Sequence, residues 1–130
     1  MATRRKDRTH CSVSPAAHTI RQLVCFPSGA SLLAASNTAL GAGALLANTA
    51  DRNTAIGVDA LYSNTQGTFN TASGAFSLFS NTTGSSNTAI GDVALYRNTT
   101  GYSNTANGAQ ALFSNTIGYD NTANGAIALF

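Results

Sequence analysis

The sequence predicts an all-β fold: a parallel β-solenoid (β-roll) of about six 17-residue coils that follows a basic leader. Three observations lead to this prediction. The tripeptide Asn-Thr-Ala recurs at a nearly constant interval, glycine and leucine return at the same places in every unit, and charged residues make up only 9% of the chain. Because Asn, Thr, Ala, Gly and Ser fill most positions, the composition suits stacking through backbone hydrogen bonds better than packing of large side chains.

The leader, residues 1–36, is predicted to be a disordered, weakly structured extension. Its basic beginning, its apolar-leaning middle and the small residues before the first repeat have the outline of a secretory signal. Arg21 and Pro27 interrupt the region that should be apolar, which makes the outline a poor one. Both cysteines, Cys11 and Cys25, lie in this leader, so no disulfide framework is expected in the repeats.

The repeat region, residues 37–130, consists of units that each begin with Asn-Thr-Ala. The first interval between units is 16 residues, the other four are 17 residues, and the sixth unit is truncated at Phe130. We number the positions of a unit as columns, counted from this asparagine. The column 1 asparagines are Asn37, Asn53, Asn70, Asn87, Asn104 and Asn121.

Glycine and asparagine mark the turns of the unit. Column 5 is always glycine, and a second Asn-Thr pair at columns 12 and 13 is followed by another glycine in four of the units. Both residue types accept the positive φ that tight turns require, so we expect two short strands and two turns per unit. Helical repeats usually need about 30 or more residues. A short helix over Ala94 to Asn98 is the remaining alternative.

Stacking in parallel register places identical side chains about 4.8 Å apart, so each column becomes a ladder. Asparagines in a ladder can hydrogen-bond to their counterparts in the coils above and below. We therefore predict two structural asparagine ladders, one in column 1 and one in column 12. The column 12 asparagines are Asn48, Asn64, Asn81, Asn98 and Asn115.

The interior is predicted to hold the alanines of column 3 and the leucines of column 9. These leucines are Leu45, Leu61, Leu78, Leu95, Leu112 and Leu129. Column 10 is always apolar or aromatic and, by strand alternation, should point away from the leucines. Its members are Leu46, Tyr62, Phe79, Tyr96, Phe113 and Phe130. Because monomers rarely expose a contiguous apolar patch, this row is predicted to be an interface between copies of the chain.

No acid–base pair, nucleophile arrangement or metal-binding cluster is evident in the repeats, so we expect no catalysis and no cofactor. Asp59, Asp92 and Asp120 occupy different columns and are interpreted as surface charges. From residue 37 onward, four aspartates outnumber two arginines, which argues against a nucleic-acid surface. No stretch is apolar enough for a membrane span. N-glycosylation patterns begin at Asn81 and Asn98, but both follow from the repeat itself.

The run Asn53-Thr54-Ala55-Ile56-Gly57, repeated from Asn87 to Gly91, resembles the Ser-Val-Ala-Ile-Gly-type repeats in the heads of bacterial trimeric autotransporter adhesins. The longer unit, with Ala-Leu-Tyr and Asn-Thr-Thr-Gly, is similar to repeats of tail-fibre-like surface proteins of bacteria and phages. The resemblance covers residues 37–130, although the adhesin unit is usually shorter. It implies a trimer that projects from a cell or virion surface and contacts host surfaces, matrix or glycans.

The leading hypothesis is therefore a non-enzymatic structural or adhesive segment of a surface fibre, located outside the cell or on a cell or virion surface, with other copies of itself as its partner. An ice-binding solenoid is one alternative, but ice recognition needs two threonine ladders side by side on one flat face. The two candidate ladders are Thr54, Thr71, Thr88, Thr105 and Thr122, and Thr65, Thr82, Thr99 and Thr116. A filament whose coils continue from chain to chain is another alternative.

Overall fold

The computed structural model describes residues 36–130, which form a parallel β-solenoid. The predicted leader lies outside the described residues except for Ser36. Each coil contributes one three-residue strand that starts at the column 2 threonine. The strands are β1 (Thr38–Leu40), β2 (Thr54–Ile56), β3 (Thr71–Ser73), β4 (Thr88–Ile90), β5 (Thr105–Asn107) and β6 (Thr122–Asn124).

The six strands form one sheet in the order β1-β2-β3-β4-β5-β6, and every neighbouring pair is parallel. Their register keeps the columns aligned: Ala55 of β2 pairs with Ala72 of β3, and Ala72 pairs with Ala89 of β4. The prediction of an all-β parallel solenoid built from the repeat is confirmed. No helix occurs within residues 36–130, so the alternative of a short helix over Ala94 to Asn98 is wrong.

The expectation of two strands per coil is also wrong, because only the Asn-Thr-Ala side of the unit is extended. Left-handed backbone conformations interrupt the rest of the coil. In the coil that begins at Asn53, φ is 52° at Asp59 in column 7, 52° at Leu61 in column 9 and 58° at Phe69 in column 17. These turns still bond between coils, since the Leu61 amide donates to the Ser77 carbonyl at 3.0 Å.

The apolar core contains three columns of side chains. The alanines of column 3 and the leucines of column 9 are buried in most coils, and so are the alanines of column 8. The leucines lie in turns with positive φ, such as 52° at Leu61, so the strand alternation from which column 10 was expected to point away from them does not apply there. Leu129, in the last coil that the structure describes, is 63% exposed.

The column 5 glycines allow the coils to approach each other closely. Gly57 has a φ of +132°, and a Cβ atom added to it would lie 2.5 Å from the carbonyl oxygen of Gly74 in the next coil. Both the backbone conformation and the spacing therefore require glycine at this column.

Candidate functional site

Asparagine side chains of column 12 form a hydrogen-bonded ladder inside the solenoid. The Nδ2 group of Asn81 donates to Oδ1 of Asn64 at 2.8 Å, and Asn98 repeats this bond to Asn81 at 2.8 Å. Asn81 Nδ2 also donates to the carbonyl of Gly84 in its own coil at 2.9 Å. All three asparagines are fully buried. These side-chain amides therefore join each coil to the next by hydrogen bonds.

The column 1 asparagines form a second ladder with a different pattern. The backbone amide of Asn87 donates to Oδ1 of Asn70 at 3.0 Å, while Nδ2 of Asn70 donates to the Gly84 carbonyl at 2.8 Å. The Gly84 carbonyl therefore accepts from both ladders, since Asn81 donates to it as well. This shared acceptor connects the two ladders within one coil.

The 16-residue first unit preserves this network despite its missing residue. Nδ2 of Asn37 and Nδ2 of Asn48 each donate to the Ala50 carbonyl at 2.7 Å. Ala50 thus supplies the carbonyl that a glycine supplies in the longer units. The residue that the first unit lacks is the one between the Asn-Thr pair and this glycine. The first unit thus has a shorter turn in which both asparagine side-chain amides keep their acceptor.

Asparagine burial also bears on the two N-glycosylation patterns of the sequence. Asn81 and Asn98 are both 0% exposed, and their Nδ2 groups donate within the ladder. An enzyme cannot reach either amide nitrogen in the folded chain.

The column 10 side chains form a continuous aromatic row on the outside of the solenoid. Centroids of neighbouring rings lie 5.2 Å apart for Tyr62 and Phe79, 5.3 Å for Phe79 and Tyr96, and 5.3 Å for Tyr96 and Phe113. The rings are nearly parallel, with interplanar angles between 4° and 13°. Phe130 extends the row at the next coil. Phe79, Tyr96 and Phe113 therefore each have a neighbouring ring stacked on both sides.

Two side chains from other columns widen this aromatic row. Phe76 of column 7 is 37% exposed and tilts against Phe79 at a centroid distance of 5.9 Å and an angle of 53°. The guanidinium of Arg97 lies 5.8 Å from the centroid of Phe113, within the range of a cation–π contact. At the first coil the row is continued by Leu46, which is 53% exposed.

A second aromatic stack was missed by the sequence reasoning. Tyr102 and Tyr119, both in column 16, stack with centroids 5.0 Å apart and an interplanar angle of 2°. They are 47% and 59% exposed, respectively. Column 16 holds no aromatic residue in the other coils, so it did not stand out as a column. The return of tyrosine after 17 residues was the available signal.

The two threonine ladders differ in what their hydroxyl groups do. In column 13, Oγ1 of Thr65 donates to the Thr82 carbonyl at 3.0 Å, and Thr99 donates to the Thr116 carbonyl at 3.0 Å. In column 2, the threonines begin the strands and alternate with the buried alanines of column 3, so they face outward. Only the column 2 ladder therefore presents its side chains on the surface of the parallel sheet.

Residues 36–130 contain no group of three or more His, Cys, Asp or Glu side chains that could hold a metal ion. The same residues contain no helix long and apolar enough to cross a membrane. Comparison of the chain with protein families, with curated proteins and with solved structures found no match.

Proposed function

We propose that the chain is a non-enzymatic structural segment of a surface fibre, and that it associates with other copies of itself along the column 10 aromatic row. The observation that carries this proposal is the row itself: four rings from Tyr62 to Phe113 stack without interruption on the outside of a rod that has very few charges. A solenoid of identical coils is an architecture suited to a structural role.

Ring orientation favours a second copy over a sugar as the occupant of the row. Aromatic side chains bind sugars through a free ring face, whereas Phe79, Tyr96 and Phe113 each have a neighbouring ring stacked on both sides. Another copy presents the same row at the same repeat, so the two rows can interdigitate coil for coil, as in dry interfaces between stacked strands.

The exposed area of the row is smaller than the area that a standard interface buries. An aromatic side chain buries about 150–250 Å² when it is fully covered. Because Tyr62, Phe79, Tyr96 and Phe113 are already partly buried, their remaining exposed area falls short of the roughly 800 Å² per partner of a standard interface. Flanking side chains such as Phe76 and Leu46 must therefore contribute. Association around a common axis, as in the trimer implied by the adhesin resemblance, gives each row two partners.

Static light scattering on the full chain at micromolar concentration tests self-association. We expect a mass that is a multiple of 13.2 kDa for the natural chain and a shift toward the monomer for the double variant Tyr96→Ser, Phe113→Ser. Ile90→Ser is the matched control, because Ile90 is 45% exposed on the outer face of β4 rather than in the row. Circular dichroism verifies that the variants stay folded.

A natural chain that is monomeric in this experiment contradicts the proposal. Loss of association in Ile90→Ser but not in the double variant would place the interface on the sheet instead. Electron microscopy of the same samples separates discrete oligomers from filaments.

The adhesive part of the proposal adds a location outside the cell or on a cell or virion surface, with host surfaces, matrix or glycans as partners. Binding of the full chain to immobilised matrix proteins and to a glycan array tests it. We expect the chain to bind either the matrix proteins or the glycans. If it binds neither, the adhesive role is contradicted and only the structural role remains.

Ice binding is the second candidate, favoured by the column 2 threonine ladder. Its members stand in register on the outer face of a parallel sheet, as Thr71, Thr88 and Thr105 do. The outward position beside them in column 4 is not threonine but Ile56, Ser73 or other residues, so a second threonine rank is lacking.

Thermal hysteresis of the purified chain decides this alternative. If the ladder binds ice, Thr88→Tyr should abolish the hysteresis, whereas Thr100→Tyr, at an exposed position outside the strands, should retain it. A natural chain without hysteresis removes the alternative.

A further inference from the structure

Tyr102 and Tyr119 form an isolated pair of exposed, stacked phenols in consecutive coils. Their ring centroids are 5.0 Å apart, and about half of each side chain is exposed. We propose that this pair is a site of oxidative cross-linking, at which a peroxidase-type oxidant joins the two tyrosines into dityrosine within one chain.

The geometry places the reacting atoms close together without movement of the backbone. Dityrosine forms through a bond between one ring carbon ortho to each hydroxyl group. Tyr102 and Tyr119 lie outside the strands, in corresponding turns of adjacent coils. Rotation about the side-chain bonds of two exposed rings turns the stacked contact into an edge-to-edge contact between ortho carbons. Exposure lets the oxidant reach both phenols.

The reaction balances with hydrogen peroxide as the oxidant. Each phenol gives up one electron and one proton and becomes a phenoxyl radical whose unpaired electron is partly on the ortho carbons. Two radicals combine into one carbon–carbon bond, and a proton shift from each ortho carbon to its oxygen restores the aromatic rings. The peroxide accepts the two electrons and two protons and becomes two molecules of water.

Tyr62 and Tyr96 provide a comparison within the same chain. They belong to the column 10 row, where Phe79 lies between them and stacks on both rings. Both are also more buried than Tyr102 and Tyr119. Coupling should therefore be selective for the column 16 pair.

A cross-link between these two tyrosines would join two coils covalently in a region that has no cysteine. Because it closes a loop of the chain, it should constrain the unfolded state as a disulfide does. The stacked coils would then be harder to separate under oxidising conditions, which suits a fibre segment. This inference does not depend on self-association.

The test treats the dilute full chain with peroxidase and hydrogen peroxide and then maps the product. Trypsin cleavage after Arg97 separates Tyr62 and Tyr96 from the column 16 pair. Hydroxylamine then cleaves the Asn-Gly bonds after Asn107 and Asn124 in the denatured peptide, which separates Tyr102 from Tyr119. We expect peptides 98–107 and 108–124 to remain joined, with the loss of two hydrogen atoms in mass and the fluorescence of dityrosine.

Two variants and a comparison with the denatured chain show whether the stacked pair is the site of coupling. Tyr119→Phe keeps the ring but removes the phenol, so the joined peptides should disappear, whereas Tyr96→Phe should leave their yield unchanged. The cross-linked chain should unfold at higher denaturant concentration than the untreated chain. Peptides that separate after oxidation would overturn the proposal. So would equal coupling in the denatured chain, or products that link only Tyr102 of one chain to Tyr102 of another.

Discussion

The Nδ2 group of Asn98 donates a hydrogen bond of 2.8 Å to Oδ1 of Asn81, one coil earlier, and both side chains are fully buried. The same relationship joins Asn81 to Asn64. A buried amide that lacked these partners would lose its hydration without compensation, so the ladder is stable only when every coil contributes its asparagine. Strict repetition of the sequence is thus a direct requirement of hydrogen bonding between coils.

Replacement of Asn81 by alanine should remove a rung from the middle of this ladder. Oδ1 of Asn64 would lose the donor that Asn81 supplies, and Asn98 Nδ2 would lose an acceptor. At about 1–3 kcal/mol for each unsatisfied buried group, we expect the free energy of unfolding to fall by about 3 kcal/mol. Urea unfolding followed by circular dichroism measures the change.

Asn115→Ala provides the matched control, because Asn115 is only partly buried and sits at the far end of the ladder, where its longer bond to Gly118 is 3.3 Å. Asn115→Ala should lower the free energy of unfolding clearly less than Asn81→Ala does. Equal losses for the two variants would mean that the ladder does not carry the stability assigned to it.

Gly57→Ala tests the close approach of the coils. A methyl group at Gly57 would lie 2.5 Å from the Gly74 carbonyl oxygen, whereas one at Gly125 would meet no atom within 4 Å. Both glycines have positive φ, 132° and 118°, so alanine is strained at either site. The difference between the two variants therefore isolates the steric clash.

We expect Gly57→Ala to lower the free energy of unfolding by about 3 kcal/mol more than Gly125→Ala, since a backbone clash cannot relax through a side-chain rotation. Thermal or urea unfolding of both variants checks this expectation. Equal destabilisation would indicate that φ alone, and not the spacing of the coils, requires glycine at column 5.

Ser77→Ala tests the packing of column 8. Ser77 is fully buried among alanines, and its Oγ donates to the Gly74 carbonyl at 2.8 Å. The Ser77 amide also donates to that carbonyl, at 3.4 Å, so alanine leaves no acceptor unpaired. The free energy of unfolding should change by less than about 1 kcal/mol.

Ser77→Val serves as the contrasting variant, because its extra methyl groups overpack the core and should cost about 1–3 kcal/mol. Urea unfolding of both variants measures these changes. Tolerance of valine would show that column 8 has free space.

The period of the sequence was sufficient to predict the solenoid and its parallel register, because identical units that stack must align identical columns. Burial of Leu61 and Leu95 also agrees with the column pattern. Column 10 was predicted from strand alternation to point away from these leucines, yet the leucines lie in turns with φ near 52°. The backbone on which that prediction rested is therefore wrong, because columns 9 and 10 belong to no strand.

The number of strands could not be deduced from residue types. Asp59, Phe76 and Val93 share column 7 and a positive φ, although none of them is glycine or asparagine. Hydrogen bonds between coils impose this conformation on whichever residue stands there, so local propensity gives no signal. The tyrosine pair of column 16 was missed for a related reason: it occupies only two coils and defines no column.

Val93→Asn tests how much strain column 7 carries. Val93 is a β-branched residue held at a φ of 51°, and the left-handed region costs most residues about 1–2 kcal/mol, whereas asparagine adopts it readily. Its side chain is only partly buried, so little apolar contact is lost on substitution. We expect the free energy of unfolding to rise by about 1 kcal/mol, measured by urea unfolding.

Val58→Asn is the matched control: Val58 is 47% exposed and is not among the residues with positive φ, so the same change there should not raise the free energy of unfolding. A gain at both sites would mean that replacing a partly exposed apolar side chain by a polar one is the cause. A loss at Val93 would show that its side-chain contacts outweigh the relief of backbone strain.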